Sequence, residues 1–170
     1  MYIYMGHMKY EQTKPYEDWF WEKNNINLIR NRINDINTKD KKLHCAEGDE
    51  IKYDYLILAV GSKSNKFGWP GQDLKGVQGL YGYHDLEQME SLSKGISKAV
   101  IVGGGLIGIE MAEMFLSRKI DVTFLVREEN FWDIVLPKEE AQMIDRHILK
   151  HLVDLKLSTK LQEIKPDDQG

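Results

Sequence analysis

The sequence is poor in cysteine and proline and contains no long apolar run. Its 170 residues include one cysteine, Cys45, and four prolines. A single cysteine excludes an internal disulfide and any metal site built from cysteines alone. No apolar stretch approaches the roughly 20 residues that cross a bilayer, and no charged-then-apolar leader opens the chain. We therefore expect a soluble, cytoplasmic protein with no membrane partner.

The sequence also lacks an excess of basic residues. The formal net charge is −4 at pH 7. A nucleic-acid surface needs clustered lysine and arginine, and short basic runs such as the one at residues 39–42 are better explained as solvated turns. The hydrophobic content of 42% is enough for a packed core. The composition therefore predicts one folded domain, or pieces of two, without a nucleic-acid partner.

The most informative stretch is a glycine-rich turn between an apolar run and a helical pattern. Residues 99–102 lead into Gly103, Gly104 and Gly105, and residues 106–117 follow as a helix with Gly108 in its first turn. In the pattern G-x-G-x-x-G the glycines allow a sharp turn, a close approach to a diphosphate, and tight helix–strand packing. Free amides at the helix start suit the phosphates. The stretch predicts a dinucleotide site, with a turn that binds no nucleotide as the alternative.

The residues after this helix bear on which nicotinamide coenzyme would bind. Residues 121–126 are apolar and β-branched enough for a buried parallel strand, and Arg127 and Glu128 follow it. An acid at this position binds the ribose hydroxyls of NAD, whereas arginine meets the 2′-phosphate of NADP. Arg127 supports NADPH and Glu128 supports NADH. We favour NADH, with NADPH and a pair of solvated turn charges as the alternatives.

The first sixty residues predict a short helix followed by an antiparallel meander. Pro15 precedes the helix, which should run to residue 24. Short β segments separated by turns come next, and the last of them is a continuous apolar strand that ends at Gly61 and Ser62. Cys45 is interpreted as a small buried residue rather than a redox thiol. The predicted strands are residues 26–30, 32–36, 43–46, 50–53 and 55–60.

The second half adds a connecting helix at residues 83–93, a helix from Pro137 to about residue 152, and strands at residues 155–157 and 161–164. His147 and His151 stand four residues apart on the later helix. This spacing can hold a metal, but no acid or third ligand accompanies the pair on that face. We therefore interpret both as solvated or packing histidines and predict no metal site.

Three motifs in a fixed order carry a family resemblance along nearly the whole chain. They are residues 53–62 (YDYLILAVGS), 69–77 (WPGQDLKGV) and 99–110 (AVIVGGGLIGIE). The chain resembles the FAD-dependent pyridine nucleotide-disulfide oxidoreductases, especially the branch of NADH oxidases, ferredoxin and rubredoxin reductases, nitrite reductase flavoprotein subunits and apoptosis-inducing factor. In that family two Rossmann-like domains occur, one inserted in the other, which bind FAD and NAD(P)H.

The resemblance implies a role for each motif. Ala59, Val60, Gly61 and Ser62 would form the second FAD motif, in which Val60 replaces the usual threonine. Ile33 would run beside the FAD adenine. The NAD(P)H diphosphate turn and the acid near the nicotinamide would come from the third motif, namely Gly103, Gly104, Gly105, Leu106, Ile107, Gly108 and Glu110. Glu110 could equally be an exposed acid stabilised by the helix dipole.

The resemblance also implies the domain organisation and the activity. The fold would be α/β, with a Rossmann-like NAD(P)-binding βαβ unit preceded by a β-meander and strand from a FAD-binding domain. Residues 1–80 would belong to the FAD-binding domain and residues 81–170 to the NAD(P)H-binding domain. Nothing ahead of residue 26 resembles the first FAD motif, so we expect an internal fragment.

The parent enzyme would pass hydride from NAD(P)H to FAD and then electrons to an unknown acceptor, and family relatives imply a homodimer. This chemistry needs no catalytic acid or base from these residues, because both redox centres are cofactors. The alternative is a non-catalytic dinucleotide-binding fragment, or an interaction scaffold, without bound flavin.

Overall fold

A computed structural model describes residues 1–166, and the chain forms two compact units. The smaller unit is Glu11–Gly61, and the larger consists of Met1–Tyr10 together with Ser62–Gly170. The proposed boundary at residue 80 concerns which cofactor each part binds, and it stays a prediction. None of the helices in residues 1–166 is both long and apolar enough to cross a bilayer.

The smaller unit contains the predicted antiparallel meander. Its strands pair in the order β1-β2-β3, and the register places Ile36 opposite Leu43 and Leu43 opposite Ile51. Asn37 begins the first turn, where its side-chain oxygen accepts hydrogen bonds from the amides of residues 39 and 40 at 3.1 and 3.0 Å. Cys45 is buried, as expected. The elements are α1 (Asp18–Lys23), β1 (Ile33–Asn37), β2 (Lys42–Cys45) and β3 (Glu50–Lys52).

Two of the predicted strands in this unit are wrong. Residues 26–30 and 55–60 are not strands, and in the second segment Tyr55, Ile57 and Val60 are 94%, 88% and 86% exposed. A strand needs hydrogen-bonded neighbours, and a continuous apolar run needs covering layers on both faces. No described strand lies alongside residues 55–60, so the apolar pattern alone does not produce a strand there.

The larger unit contains the predicted βαβ arrangement. Its three strands are parallel in the order β4-β5-β6, with Val100 opposite Thr123 and Thr123 opposite Asp154. The predicted strand at residues 161–164 is wrong, although the amide of Ile164 donates to the carbonyl of Pro70 at 2.8 Å. The elements are α2 (Tyr83–Leu92), β4 (Lys98–Val102), α3 (Leu106–Ser117), β5 (Asp121–Leu125), α4 (Lys138–Lys150) and β6 (Asp154–Lys156).

The core of the larger unit lies between the parallel sheet and α3. Alternation along β4 buries Ile101 at 6% exposure, while Val100 and Val102 on the other face are 62% and 42% exposed. Phe124 of β5 is fully buried, and it lies beside the first turn of α3. The helix therefore covers one face of the sheet, and its start is fixed by apolar contacts with the strands.

The opening residues, for which the sequence predicts no element, place Tyr4 in this core. Its side chain is 1% exposed, its hydroxyl donates to Ser93 Oγ at 2.7 Å, and its ring meets Phe115 edge-to-face at 6.1 Å. The Arg118 guanidinium lies 3.6 Å from the ring centroid and donates to the Glu90 carboxylate at 2.7 and 2.8 Å. The hydrogen bonds that Arg118 donates to the Glu90 carboxylate raise the pKa of Arg118. Tyr4 therefore joins α2 to the end of α3.

Replacing Tyr4 should destabilise the larger unit. Tyr4→Ala should lower the free energy of unfolding by about 3–5 kcal/mol, because it removes a fully buried aromatic ring. Tyr4→Phe should cost about 1 kcal/mol, because it removes only the hydrogen bond to Ser93. Urea denaturation followed by circular dichroism measures both, with Tyr2→Ala, at a site 57% exposed, as the control. Equal midpoints for Tyr4→Ala and the control would contradict the buried position of Tyr4.

Candidate dinucleotide-binding site

The glycine-rich turn begins with a backbone conformation that favours glycine. Gly103 has φ +114°, which a residue with a Cβ adopts only with strain. Its amide donates to the carbonyl of Leu125 at 2.9 Å, so the turn leaves β4 while still bonded to β5. This geometry brings the end of β4 and the end of β5 to one edge of the sheet.

Two further glycines allow close packing of the turn and helix on the strands. A Cβ on Gly108 would lie 3.0 Å from the carbonyl oxygen of Gly103 and 3.1 Å from Cε1 of Phe124. A Cβ on Gly104 would lie 3.0 Å from Cγ1 of Val126. All three distances are shorter than ordinary van der Waals contact, so the neighbouring atoms would have to move. The small size of these residues sets how closely α3 approaches the sheet.

The start of α3 offers hydrogen-bond donors beside an open space. The first helical bond runs from the Ile109 amide to the Gly105 carbonyl, so the amides of residues 106–108 have no partner inside the helix. No side chain caps this end, and a Cβ on Gly105 would meet no atom within 4 Å. Free amides and the positive end of the helix dipole stabilise an anion. The uncapped helix start therefore has the chemistry that suits a diphosphate.

Arg127 and Glu128 lie at the same edge of the sheet, directly after β5. Arg127 Nε donates to Glu128 Oε1 at 2.5 Å, and this hydrogen bond raises the pKa of Arg127. The Arg127 side chain is 72% exposed, whereas that of Glu128 is 20% exposed. The carbonyl of Glu128 accepts a hydrogen bond from the Ser158 amide at 2.8 Å. The acid is therefore the better fixed member of the pair.

The segment that follows this pair supports the turn through residues that the sequence analysis did not identify. Phe131 is 1% exposed, and its Cδ2 lies 3.4 Å from the position of a Cβ on Gly104. The carboxylate of Asp145 in α4 accepts a hydrogen bond from the Phe131 amide at 2.7 Å. Asp145 is only 7% exposed. The signal was present in the sequence, because Asp145 falls between Ala141 and Ile148 on the apolar side of α4.

The remaining predicted site residues have different surroundings. Glu110 is exposed on α3, and its carboxylate forms no hydrogen bond or ion pair with another of residues 1–166. Ile33 begins β1 opposite Cys45, in the smaller unit. The FAD motif at residues 59–62 has no strand structure, and Val60 is largely exposed. The FAD roles of Ile33, Ala59, Val60, Gly61 and Ser62 stay predictions.

Sequence comparison agrees with the geometry of the turn. Residues 8–170 match the family model described as pyridine nucleotide-disulphide oxidoreductase. The chain belongs to this family. The resemblance drawn from the three motifs is thereby confirmed, as is the α/β fold class.

Individual relatives show how much of a family member the chain represents. It is 32% identical over 155 residues to the nitrite reductase [NAD(P)H] of Bacillus subtilis, covering 89% of this chain and 19% of that protein. It is 38% identical over 100 residues to the NADH-rubredoxin oxidoreductase of Clostridium acetobutylicum, covering 58% and 26%. The water-forming NADH oxidase from Lactobacillus brevis, solved with NADH, has a TM-score of 0.85 at 19% identity, covering 99% and 39%. The chain thus spans well under half of each of these relatives.

Alanine at Gly108 should destabilise the larger unit, whereas alanine at Gly105 should have little effect on its stability. Gly108→Ala should lower the free energy of unfolding by about 1–3 kcal/mol, because the new methyl group is forced against Gly103 and Phe124. Gly105→Ala should change it by under about 1 kcal/mol, because the space around that position is open. Chemical denaturation measures the difference. If both variants unfolded at the same denaturant concentration, the close contact at Gly108 would be refuted.

Proposed function

We propose that the chain is part of a flavoprotein oxidoreductase that transfers hydride from NAD(P)H to FAD and then passes electrons to an acceptor. The observation that supports this most directly is the uncapped start of α3 beside the open space at Gly105. Membership of the pyridine nucleotide-disulphide oxidoreductases supports the same assignment.

The nicotinamide coenzyme would be held by this chain's own backbone. Its diphosphate would accept hydrogen bonds from the amides of the Gly103–Gly108 turn, including those of Gly104, Leu106 and Ile107. Glu110 would lie toward the nicotinamide end, and Glu128 would accept hydrogen bonds from the adenosine ribose. When bound, the coenzyme supplies the hydride, so the chain's contribution is binding and orientation.

The flavin part of the proposal has a different basis. It comes from the family and from the motif at residues 59–62, whose role in binding FAD stays a prediction. The alternative is a dinucleotide-binding fragment or interaction scaffold without flavin, and the exposed apolar segment at residues 55–60 favours it.

The proposal also covers the electron acceptor, the oligomeric state and the cellular location, each in general terms. The relatives are named for different acceptors, including nitrite and rubredoxin, so the chain is assigned an electron acceptor of unspecified identity. A homodimer is proposed from the family alone. A cytoplasmic location is proposed because the one cysteine, Cys45, is unpaired, which suits a reducing compartment.

Flavin content and coenzyme binding distinguish the two functions. The purified chain should bind NADH, detected by coenzyme fluorescence, and Gly105→Val should weaken binding about tenfold or more by blocking hydrogen bonds to the diphosphate. Chain saturated with added FAD should lose visible flavin absorbance when NADH is supplied without oxygen. NADH binding without any retention of flavin supports the alternative. Failure to bind either nicotinamide coenzyme would refute both the oxidoreductase and the dinucleotide-binding fragment, and it would leave only the interaction scaffold.

Substitutions after the end of β5 should change the binding preference between NADH and NADPH. Glu128→Gln should weaken NADH binding by about five- to tenfold, because it removes a charged acceptor for the ribose hydroxyls. Arg127→Ala should weaken NADPH more than NADH, because it removes the partner for the 2′-phosphate. Dissociation constants for both coenzymes measure this, with Glu129→Gln as the matched control.

The two variants should therefore move the NADH to NADPH preference in opposite directions. The wild-type chain should bind NADH more tightly. Equal effects of Glu128→Gln on the two coenzymes, or an equal effect of Glu129→Gln, would count against the role of Glu128 in discrimination.

A further inference from the structure

The two histidines at the end of α4 have their rings close together. His147 lies in the last turn of the helix and His151 is its C-cap residue. Their ring centroids are 4.7 Å apart, with the ring planes inclined at 61°. The sequence gives only their spacing, and the structure adds that both side chains occupy the same side of the helix end.

This ring separation is compatible with a shared metal ion. Imidazole nitrogens bind divalent transition metals at roughly 2.0–2.1 Å, which places the two ring centroids about 4.5–5 Å apart when the angle at the metal is near 90–105°. The observed 4.7 Å falls inside that interval. Two histidines four positions apart on a helix are also the pair that the H-E-x-x-H motif uses to bind zinc.

The surroundings leave both rings available. Both residues are exposed, and neither ring donates or accepts a hydrogen bond with another described residue. The negative end of the helix dipole lies at this terminus and favours a bound cation. Arg146 and Lys150 lie beside the histidines in sequence and oppose it, but both are exposed on flexible side chains that can extend into solvent.

We propose that His147 and His151 form a two-histidine site for a divalent transition cation, separate from the dinucleotide site. Within residues 1–166 no group of three or more His, Cys, Asp or Glu residues is arranged to hold a metal. Water therefore completes the coordination shell. Imidazole ligands select Cu²⁺, Ni²⁺ and Zn²⁺ over Mg²⁺ and Ca²⁺, and Cu²⁺ binds tightest of the three.

The site is tested with the untagged chain and metal salts alone. Isothermal titration should show one site for Cu²⁺ and a weaker one for Zn²⁺, with no binding of Mg²⁺. His147→Ala and His151→Ala should each weaken Cu²⁺ binding about tenfold or more, because each removes one of two ligands. His84→Ala, which removes an exposed histidine from α2, is the control.

Electron paramagnetic resonance of the Cu²⁺ complex identifies the ligands directly. The wild-type spectrum should show two nitrogen donors, and each single variant should show one. Unchanged circular dichroism excludes unfolding as the cause. Equal Cu²⁺ affinity in His147→Ala, His151→Ala and the control, or a wild-type chain that binds no Cu²⁺ at millimolar concentration, would overturn the proposal.

Discussion

The close contact between the first turn of α3 and the strands beneath it is the constraint on which the candidate site depends. Gly108 has no side chain, so the helix start approaches the Gly103 carbonyl and the Phe124 ring more closely than any other residue would allow. This approach fixes where the helix begins. Its free amides are consequently held at the carboxyl edge of the sheet, beside the residues that follow β5.

The rest of the larger unit holds this arrangement at both ends. At the far end of α3, Arg118 stacks on Tyr4 and pairs with Glu90 of α2. At the near end, Phe131 packs edge-to-face on Phe124 and is fixed by the Asp145 carboxylate. A binding turn made of backbone amides has no side chains to adjust, so its accuracy depends on the rigidity of the helix that carries it.

Local patterns in the sequence were sufficient for the βαβ unit. The glycine spacing and the apolar runs around it predicted β4, α3 and β5 to within a residue or two, because the hydrophobic pattern and the turn residues of this stretch agree with its tertiary pairing. Tyr4 was missed, since its partner Ser93 lies 89 residues away in sequence. Asp145 was missed although its position on the apolar side of α4 was a usable signal. The strand at residues 55–60 was wrong for a related reason. Apolar character predicts burial, but a strand also requires a neighbour with which to pair.

The central claim is that the amides of the Gly103–Gly108 turn bind the diphosphate of a nicotinamide coenzyme. Amide-resolved NMR of the isotope-labelled chain during titration with NADH tests it most directly. We expect the largest chemical-shift changes at the amides of Gly104, Gly105, Leu106 and Ile107, with smaller changes at Glu128. Saturable NADH binding that leaves these amides unshifted would contradict it.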